Sequence, residues 1–156
     1  MNTRTNKKPE GEFEQYVLDI ARVTRVVAGG KRLSFRATVA LGSKNKHHIG
    51  VGIGKGHDVS QAIEKAVYDA KRKMIDVPVK NGTIPFEVRA KYKAAEIILK
   101  PSQKGKGIIA GGAVRNLLKL ANINDATAKV LGRTSNAINN AQATIEAIKK
   151  LNIKED

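Results

Sequence analysis

Two glycine- and lysine-rich stretches hold the residues of this chain best suited to gripping a phosphate. Ile49 to Gly56 reads Ile-Gly-Val-Gly-Ile-Gly-Lys-Gly, with Gly50, Gly52, Gly54 and Gly56 on alternate positions. Lys100 to Gly107 reads Lys-Pro-Ser-Gln-Lys-Gly-Lys-Gly, and Ile-Ile-Ala-Gly-Gly follows to Gly112. Neither meets a nucleotide-binding spacing. A dinucleotide fingerprint needs Gly-x-Gly-x-x-Gly, and in the first stretch the third glycine comes one residue early. A phosphate-cradling Walker loop needs Gly six residues before its Lys and Ser or Thr after it. Lys55 has Ile49 and Gly56 at those places, and Lys106 has Lys100 and Gly107. His47, His48 and His57 have no Cys and no His at metal-ligand spacing, and no Ser, His and Asp set points to a nucleophile. The chain is therefore read as no enzyme, with no cofactor and no metal.

What remains is phosphate contact without chemistry. In an extended chain the four glycines share one bare face, because strand side chains alternate. Gly50 and Gly52 read as backbone held low for close packing, the usual meaning of glycine in a strand. Gly54, Lys55 and Gly56 stand just before a helix start, where backbone amides and a lysine suit an anion. His57 is either a further phosphate contact or a solvated loop residue. In the second stretch Lys104 and Lys106 alternate with Gly105 and Gly107, so backbone there can approach a phosphate chain. Gly111 and Gly112 open a second helix.

The charge balance says what kind of anion. Lys plus Arg is 29 against 14 Asp plus Glu, giving +15 and a pI near 10.2. Such an excess implies a polyanionic partner, nucleic acid before membrane. It is also clustered: Ile20 to His57 holds Arg22, Arg25, Lys31, Arg32, Arg36, Lys44, Lys46 and Lys55 and no acid. Aromatic residues are 4% of the chain, too few for base stacking to dominate, so folded RNA read by shape and phosphate is favoured. No apolar run is long enough to span a membrane and the polar first residues are unlike a signal peptide, so a cytoplasmic place is expected. The apolar share of 41% supplies a core, necessarily aliphatic, and the absence of Cys excludes a disulfide scaffold.

The elements that must position these residues form an α+β protein of two small domains. Residues 1–12 read as a flexible basic arm. Residues 13–76 read as a three-stranded antiparallel sheet plus a helix. Tyr16 to Val27 is the first strand, its alternation slipping near Ala21 and Arg22, and Ala28-Gly29-Gly30-Lys31 is a hairpin loop. In the second strand Leu33, Phe35, Ala37, Val39 and Leu41 are expected to face in, with Arg32, Ser34, Arg36 and Thr38 out. The glycine strand follows. Asp58 starts a helix, with Gln61 placed for a capping box, whose stripe is expected to cover Leu33, Phe35, Val51 and Ile53. Residues 77–83 read as a linker, 84–152 as a β-β-α-β-α two-layer sandwich, and 153–156 as a tail. Ser135 or Asn136 is expected to cap the last helix.

Several segments, in order, resemble one family. They are Arg22-Val-Thr-Arg-Val-Val-Ala-Gly-Gly30, Leu33-Ser-Phe35, Gly50-Val-Gly-Ile-Gly-Lys55, Ala62-Ile-Glu-Lys-Ala66, Asn81-Gly-Thr83, Gly107-Ile-Ile-Ala-Gly-Gly112 and Leu131-Gly-Arg-Thr-Ser-Asn136. Together, from about Phe13 to Leu151, they resemble the bacterial type of the small-subunit ribosomal protein five family. The resemblance implies a first domain similar to the double-stranded-RNA-binding fold. It implies a second similar to a domain of some small-molecule kinases, without their active site. It implies a structural protein of the small subunit that binds ribosomal RNA and contributes to assembly, decoding accuracy and messenger entry. Neighbouring proteins three, four and eight and nearby messenger RNA are the implied partners, with no membrane. The hairpin matching Thr24 to Lys31 is implied to reach into RNA, and it is where spectinomycin resistance arises in the family. This chain departs there: Val26 stands where a hydroxyl residue is common and Ala28 where a lysine is common. Val51 and Ile53 replace common aromatics, and Ala137 replaces a common proline.

The candidate RNA contacts are thus Arg22, Thr24, Arg25, Gly29, Gly30, Lys31, Arg36, Lys44, Lys46, Gly54, Lys55, Gly56, His57, Lys104 and Lys106. Gly107, Gly111, Gly112 and Arg115 are candidates for a protein interface, with the Lys104–Lys106 loop serving either RNA or protein four. A free-standing RNA-binding module or chaperone is the alternative reading.

Overall fold

A Val- and Ile-rich first strand, apolar residues alternating along the second from Leu33 to Leu41 and a two-residue turn produce the longest feature of the chain, a hairpin of β1 (Phe13–Val27) and β2 (Gly30–Ser43). The computed structural model describes residues 12–43 and 45–153, with the side chain of Ile153 excepted. The flexible arm expected at residues 1–12 and the tail at 153–156 lie almost wholly outside the described residues, as does Lys44. The hairpin pairs from Phe13 with Ser43 to Val27 with Gly30. Its turn is Ala28-Gly29, and Gly30 closes it at φ 137°, a conformation open to glycine. The irregularity expected near Ala21 falls instead between Val17 and Asp19.

β3 (His48–Gly56) pairs with β2 only from Phe35 to Gly42. The hairpin therefore runs on past the sheet as a two-stranded ribbon, residues 23–34, about 16 Å long at the usual rise per residue. A fourth strand, β4 (Ile75–Asp76), joins the far edge of β3, so the expected three-stranded sheet has four strands in the order β1-β2-β3-β4.

The helix α1 (Val59–Arg72) lies on the glycine face of β3, not on the face expected. A Cβ on Gly52 or Gly54 would run into the backbone of Ala66 and Ala70 or of Ala62 and Ala66. Ala62, Ala66 and Ala70 are the helix residues turned inward, all fully buried. Bare strand and alanine stripe bring two backbones together, and Ala37, Val39 and Phe35 of β2 complete that packing. Register explains the correction. Phe35 lies opposite Gly56, and Val51 lies opposite Ala40, so Phe35 and Val51 are on opposite faces. Leu33 and Ile53, expected inside, are 50% and 38% exposed, while Thr38, expected outside, is fully buried. Asp58 has extended backbone and accepts the Ala62 amide on its carbonyl at 3.0 Å, but its side chain makes no cap.

The second half consists of β5 (Val88–Tyr92), β6 (Ala95–Pro101), β7 (Ile108–Ile109), α2 (Gly112–Leu120), β8 (Ala126–Val130) and α3 (Ala137–Ile153). Its sheet order is β5-β6-β8-β7, with the short β7 parallel to β8. Asn136 caps α3, its Oδ1 accepting the Ile138 amide at 3.0 Å. Ile84 is buried as expected, but the strand begins only at Val88, after Pro85, which has no amide to give a ladder.

The two halves share one core. Ala40, Ile49 and Val51 from the first sheet pack into a cluster with Leu117, Leu118, Ile148 and Leu151. Gly42 lies so close to Leu120 that a Cβ there would collide with its backbone. Asn122 Nδ2 donates to the Ser43 carbonyl at 3.0 Å, and a ring nitrogen of His47 lies 2.8 Å from the Ala121 carbonyl oxygen. The segment read as a linker is part of this seam: Val77 and Ile84 are buried, and the Val77 amide donates to the His47 carbonyl at 2.7 Å. The first sheet is thus covered on both faces, by α1 on one and by the second half on the other. That explains why apolar residues occupy both parities of β2 and β3.

Candidate nucleic-acid interface

The ribbon sorts its side chains by register. Arg25 is paired directly with Arg32, and farther down the same face Arg36 is paired with Lys55 of β3. Directly opposed like charges weaken a sheet, and here two such pairs lie along one face. Arg36 has Asp19 at 3.6 Å; Arg22, Arg25, Lys31, Arg32 and Lys55 have no ion pair among the described residues. The other face carries Arg22, Thr24 and Lys31, with Val26 and Leu33 between them. Gly29 and Gly30 lie at the tip with open space around them. Arg32, absent from the candidate set, stands directly opposite Arg25 on the same face. Its signal was in the sequence: a two-residue turn at Ala28-Gly29 puts residue 32 opposite residue 25.

Gly54 and Gly56 need a different explanation from the one their sequence suggested. Their bare faces lie against α1, where a Cβ on Gly56 would stand 2.8 Å from the Ala62 nitrogen. Their amides are also turned inward. Ile53 donates its amide outward to Asp69 Oδ2 at 3.1 Å, so the alternate residues Gly52, Gly54 and Gly56 point theirs toward β2. What this end of β3 presents outward is the Lys55 side chain, with exposed His57 beyond it. Burial pushes the Asp69 carboxyl up, but the Lys73 ammonium at 2.7 Å and the Ile53 amide outweigh it and hold the carboxyl below its ordinary value.

Other candidates lie apart. Lys46 is exposed at the opposite end of β3 from Lys55, roughly 25 Å along the strand, beside the seam with α2. Lys104 and Lys106 are exposed on the loop between β6 and β7. That loop is tied down where it ends: the buried Asp125 carboxylate accepts the Gly107 amide at 2.7 Å. Gly111 caps α2 with extended backbone, Gly112 begins the helix, and Arg115 donates its amide to the Gly111 carbonyl at 2.8 Å. Gly105, Gly107, Gly111 and Gly112 all face open space. This forms a second exposed surface, on the other half of the chain.

Fold and surface together define a two-domain α+β protein that carries cations on a protruding ribbon. Comparison with known proteins makes the class specific. Residues 13–78 match the family described as ribosomal protein S5, N-terminal domain, and residues 90–156 match ribosomal protein S5, C-terminal domain. The chain belongs to the ribosomal protein S5 family. It is 49% identical over 140 residues to the small ribosomal subunit protein uS5 of Thermotoga neapolitana, covering 90% of this chain and 78% of that one. It is 46% identical over 146 residues to uS5c of Rhodomonas salina, covering 93% and 86%. With uS5 of Mycoplasma mobile the identity is 48% over 152 residues, covering 97% of this chain and 62% of that protein. These relatives are ribosomal proteins and not enzymes.

Proposed function

We propose that this chain is a structural constituent of the small ribosomal subunit that clamps ribosomal RNA with its β1–β2 ribbon. The observation that carries the reading is the pairing of Arg25 with Arg32 and of Arg36 with Lys55 on one face. Such pairs cost stability in the free protein, and a polyanion laid along that face offsets the repulsion. Arg22 and Lys31 extend the contact to the other side of the ribbon, and Gly29 and Gly30 let the tip come close to RNA backbone. Phe35 and Phe86 are partly buried against the core, so recognition rests on shape and phosphate rather than aromatic stacking.

The exposed surface of Gly107, Gly111, Gly112 and Arg115 is the contact for a neighbouring protein, and the open glycines suit close approach of its backbone. Protein four is the neighbour that fits a role in decoding accuracy. Protein three at the messenger entry and protein eight complete the expected surroundings, with messenger RNA nearby. Lys104 and Lys106 serve RNA or protein four.

Sedimentation tests the reading. The full chain should travel with small subunits through a gradient at high salt. Release to the top of the gradient would instead mark a free RNA-binding module or chaperone.

A further inference from the structure

The exposed aliphatic side chains at the ribbon's end are not scattered. Val26, 74% exposed, is the most exposed large apolar residue described, and Leu33 is 50% exposed. Val26 pairs with Lys31, and Thr24 pairs with Leu33. Paired residues share a face, as do residues two apart, so Thr24, Val26, Lys31 and Leu33 stand together. Val26 and Leu33 are diagonal neighbours there, within reach of each other. Arg25 and Arg32 stand on the reverse side. The ribbon is two-faced, with paired arginines behind and an aliphatic pair flanked by Arg22 and Lys31 in front. The patch lies past the end of β3, where β2 has lost its second neighbour and nothing described covers it.

Single exposed aliphatics are ordinary, but an adjacent pair on an arm with unpaired cations and no acid between Ile20 and His57 is not. The cations name a nucleic acid as the occupant. The aliphatic pair then narrows which part of it. An unbroken A-form duplex shows a protein mostly phosphates and 2′-hydroxyls, because its base faces are stacked inside and its major groove is too narrow to read. An aliphatic pair gains nothing from those groups. It gains from covering the apolar face of a base or ribose that has left the stack, as apolar wedges do in other nucleic-acid complexes.

We infer that the Val26–Leu33 face packs on an unstacked nucleotide of a bulge, internal loop or junction, while the Arg25–Arg32 face neutralises adjacent phosphates. The inference rests on the RNA-binding reading above and adds the class of RNA element selected.

The test uses the full chain and two RNA probes. One is an unbroken duplex of about 20 base pairs, long enough for a footprint of about 16. The other is the same duplex with a bulge carrying 2-aminopurine, whose fluorescence reports the stacking of that base. The wild type should bind the bulged RNA roughly ten-fold more tightly, the size of one base contact, with a fluorescence change. The V26T/L33T variant places a strand-favouring, β-branched threonine at both exposed positions, so it should fold and melt like the wild type. It should lose the preference and the fluorescence change while keeping its affinity and salt dependence for the unbroken duplex, since no charge is altered. Equal wild-type affinity for the two probes, or a preference retained by the variant, overturns the inference alone. Binding to neither probe overturns the RNA-binding reading, and this inference with it.

Discussion

The glycines of β3 and those of the β7–α2 region look alike in sequence and do opposite things. In β3 the missing side chains are filled by the backbone of α1. Around Gly105, Gly107, Gly111 and Gly112 they are filled by nothing among the described residues. The first set is consumed by folding. The second stays available to something outside. A glycine-rich stretch beside a lysine is thus no sign of a ligand until its empty face is known, and a helix carrying Ala at 62, 66 and 70 is what occupies the face in β3.

A single added methyl separates the two sets most sharply. Gly52→Ala should destabilise the fold by about 3 kcal/mol, the upper end for overpacking, because the obstacle is helix backbone that cannot rotate away. Thermal or denaturant unfolding measures it, and a near-neutral result would mean that α1 does not seat on this strand. Gly42→Ala meets the Leu120 backbone at the seam between the two halves and should cost about 2 kcal/mol. If the halves are one unit, a single unfolding transition should move to lower denaturant without splitting.

Asp69 ties α1 to the open edge of β3, and Asp69→Ala should cost about 1 kcal/mol by leaving the Ile53 amide to solvent. The same contact is sensitive to acid. The folded carboxyl titrates below the unfolded one, so its contribution is fully present above the unfolded value near 3.8. It is lost as pH falls through the lower folded value. Stability of the Asp69→Ala variant relative to the wild type, followed from pH 5 downward, should converge in acid; a constant gap would assign the effect to packing.

Lys55→Glu separates folding from binding. It places an acid opposite Arg36, so stability should rise by about 0.5 kcal/mol. RNA binding should weaken, with a salt slope flatter by about one phosphate. An unchanged slope would remove Lys55 from the interface. Smallest of all is Gly112→Ala at the first position of α2, which meets open space and should stay within about 0.5 kcal/mol of wild-type stability. Any functional defect it shows must then come from a partner.

Much of this architecture is legible in the sequence. The order of the longer elements, the helical stripes of α2 and α3 and a cap at Ser135 or Asn136 follow from periodicity and capping chemistry, whereas the two-residue strands β4 and β7 are too short to leave a periodic signal. The side to which α1 docks does not. Periodicity says that Phe35, Ala37 and Val39 share a face, but only register says that this is also the glycine face of β3. The apolar pattern of β2 and β3 is ambiguous because both faces are covered, and Thr38 lies buried among residues that alternate as though exposed. Val77 looks like linker because Pro78 follows it, yet it is fixed by a core contributed from distant positions. In the candidate interface the charge run finds the ribbon, while the opposition of Arg25 to Arg32 needs the turn length. Lys46 shows the converse: it belongs to the same acid-free run and ends far from the ribbon.

Everything proposed for the ribbon depends on its paired cations neutralising RNA phosphate. The decisive measurement is binding of the full chain to small-subunit ribosomal RNA across a series of salt concentrations, for the wild type and R25Q/R32Q. The variant should melt at or slightly above the wild-type temperature, because an opposed like-charge pair has gone. Its plot of log affinity against log salt should be flatter by about 2, one unit for each phosphate no longer neutralised. A wild-type slope in a normally folded variant would show that these arginines do not meet RNA phosphate.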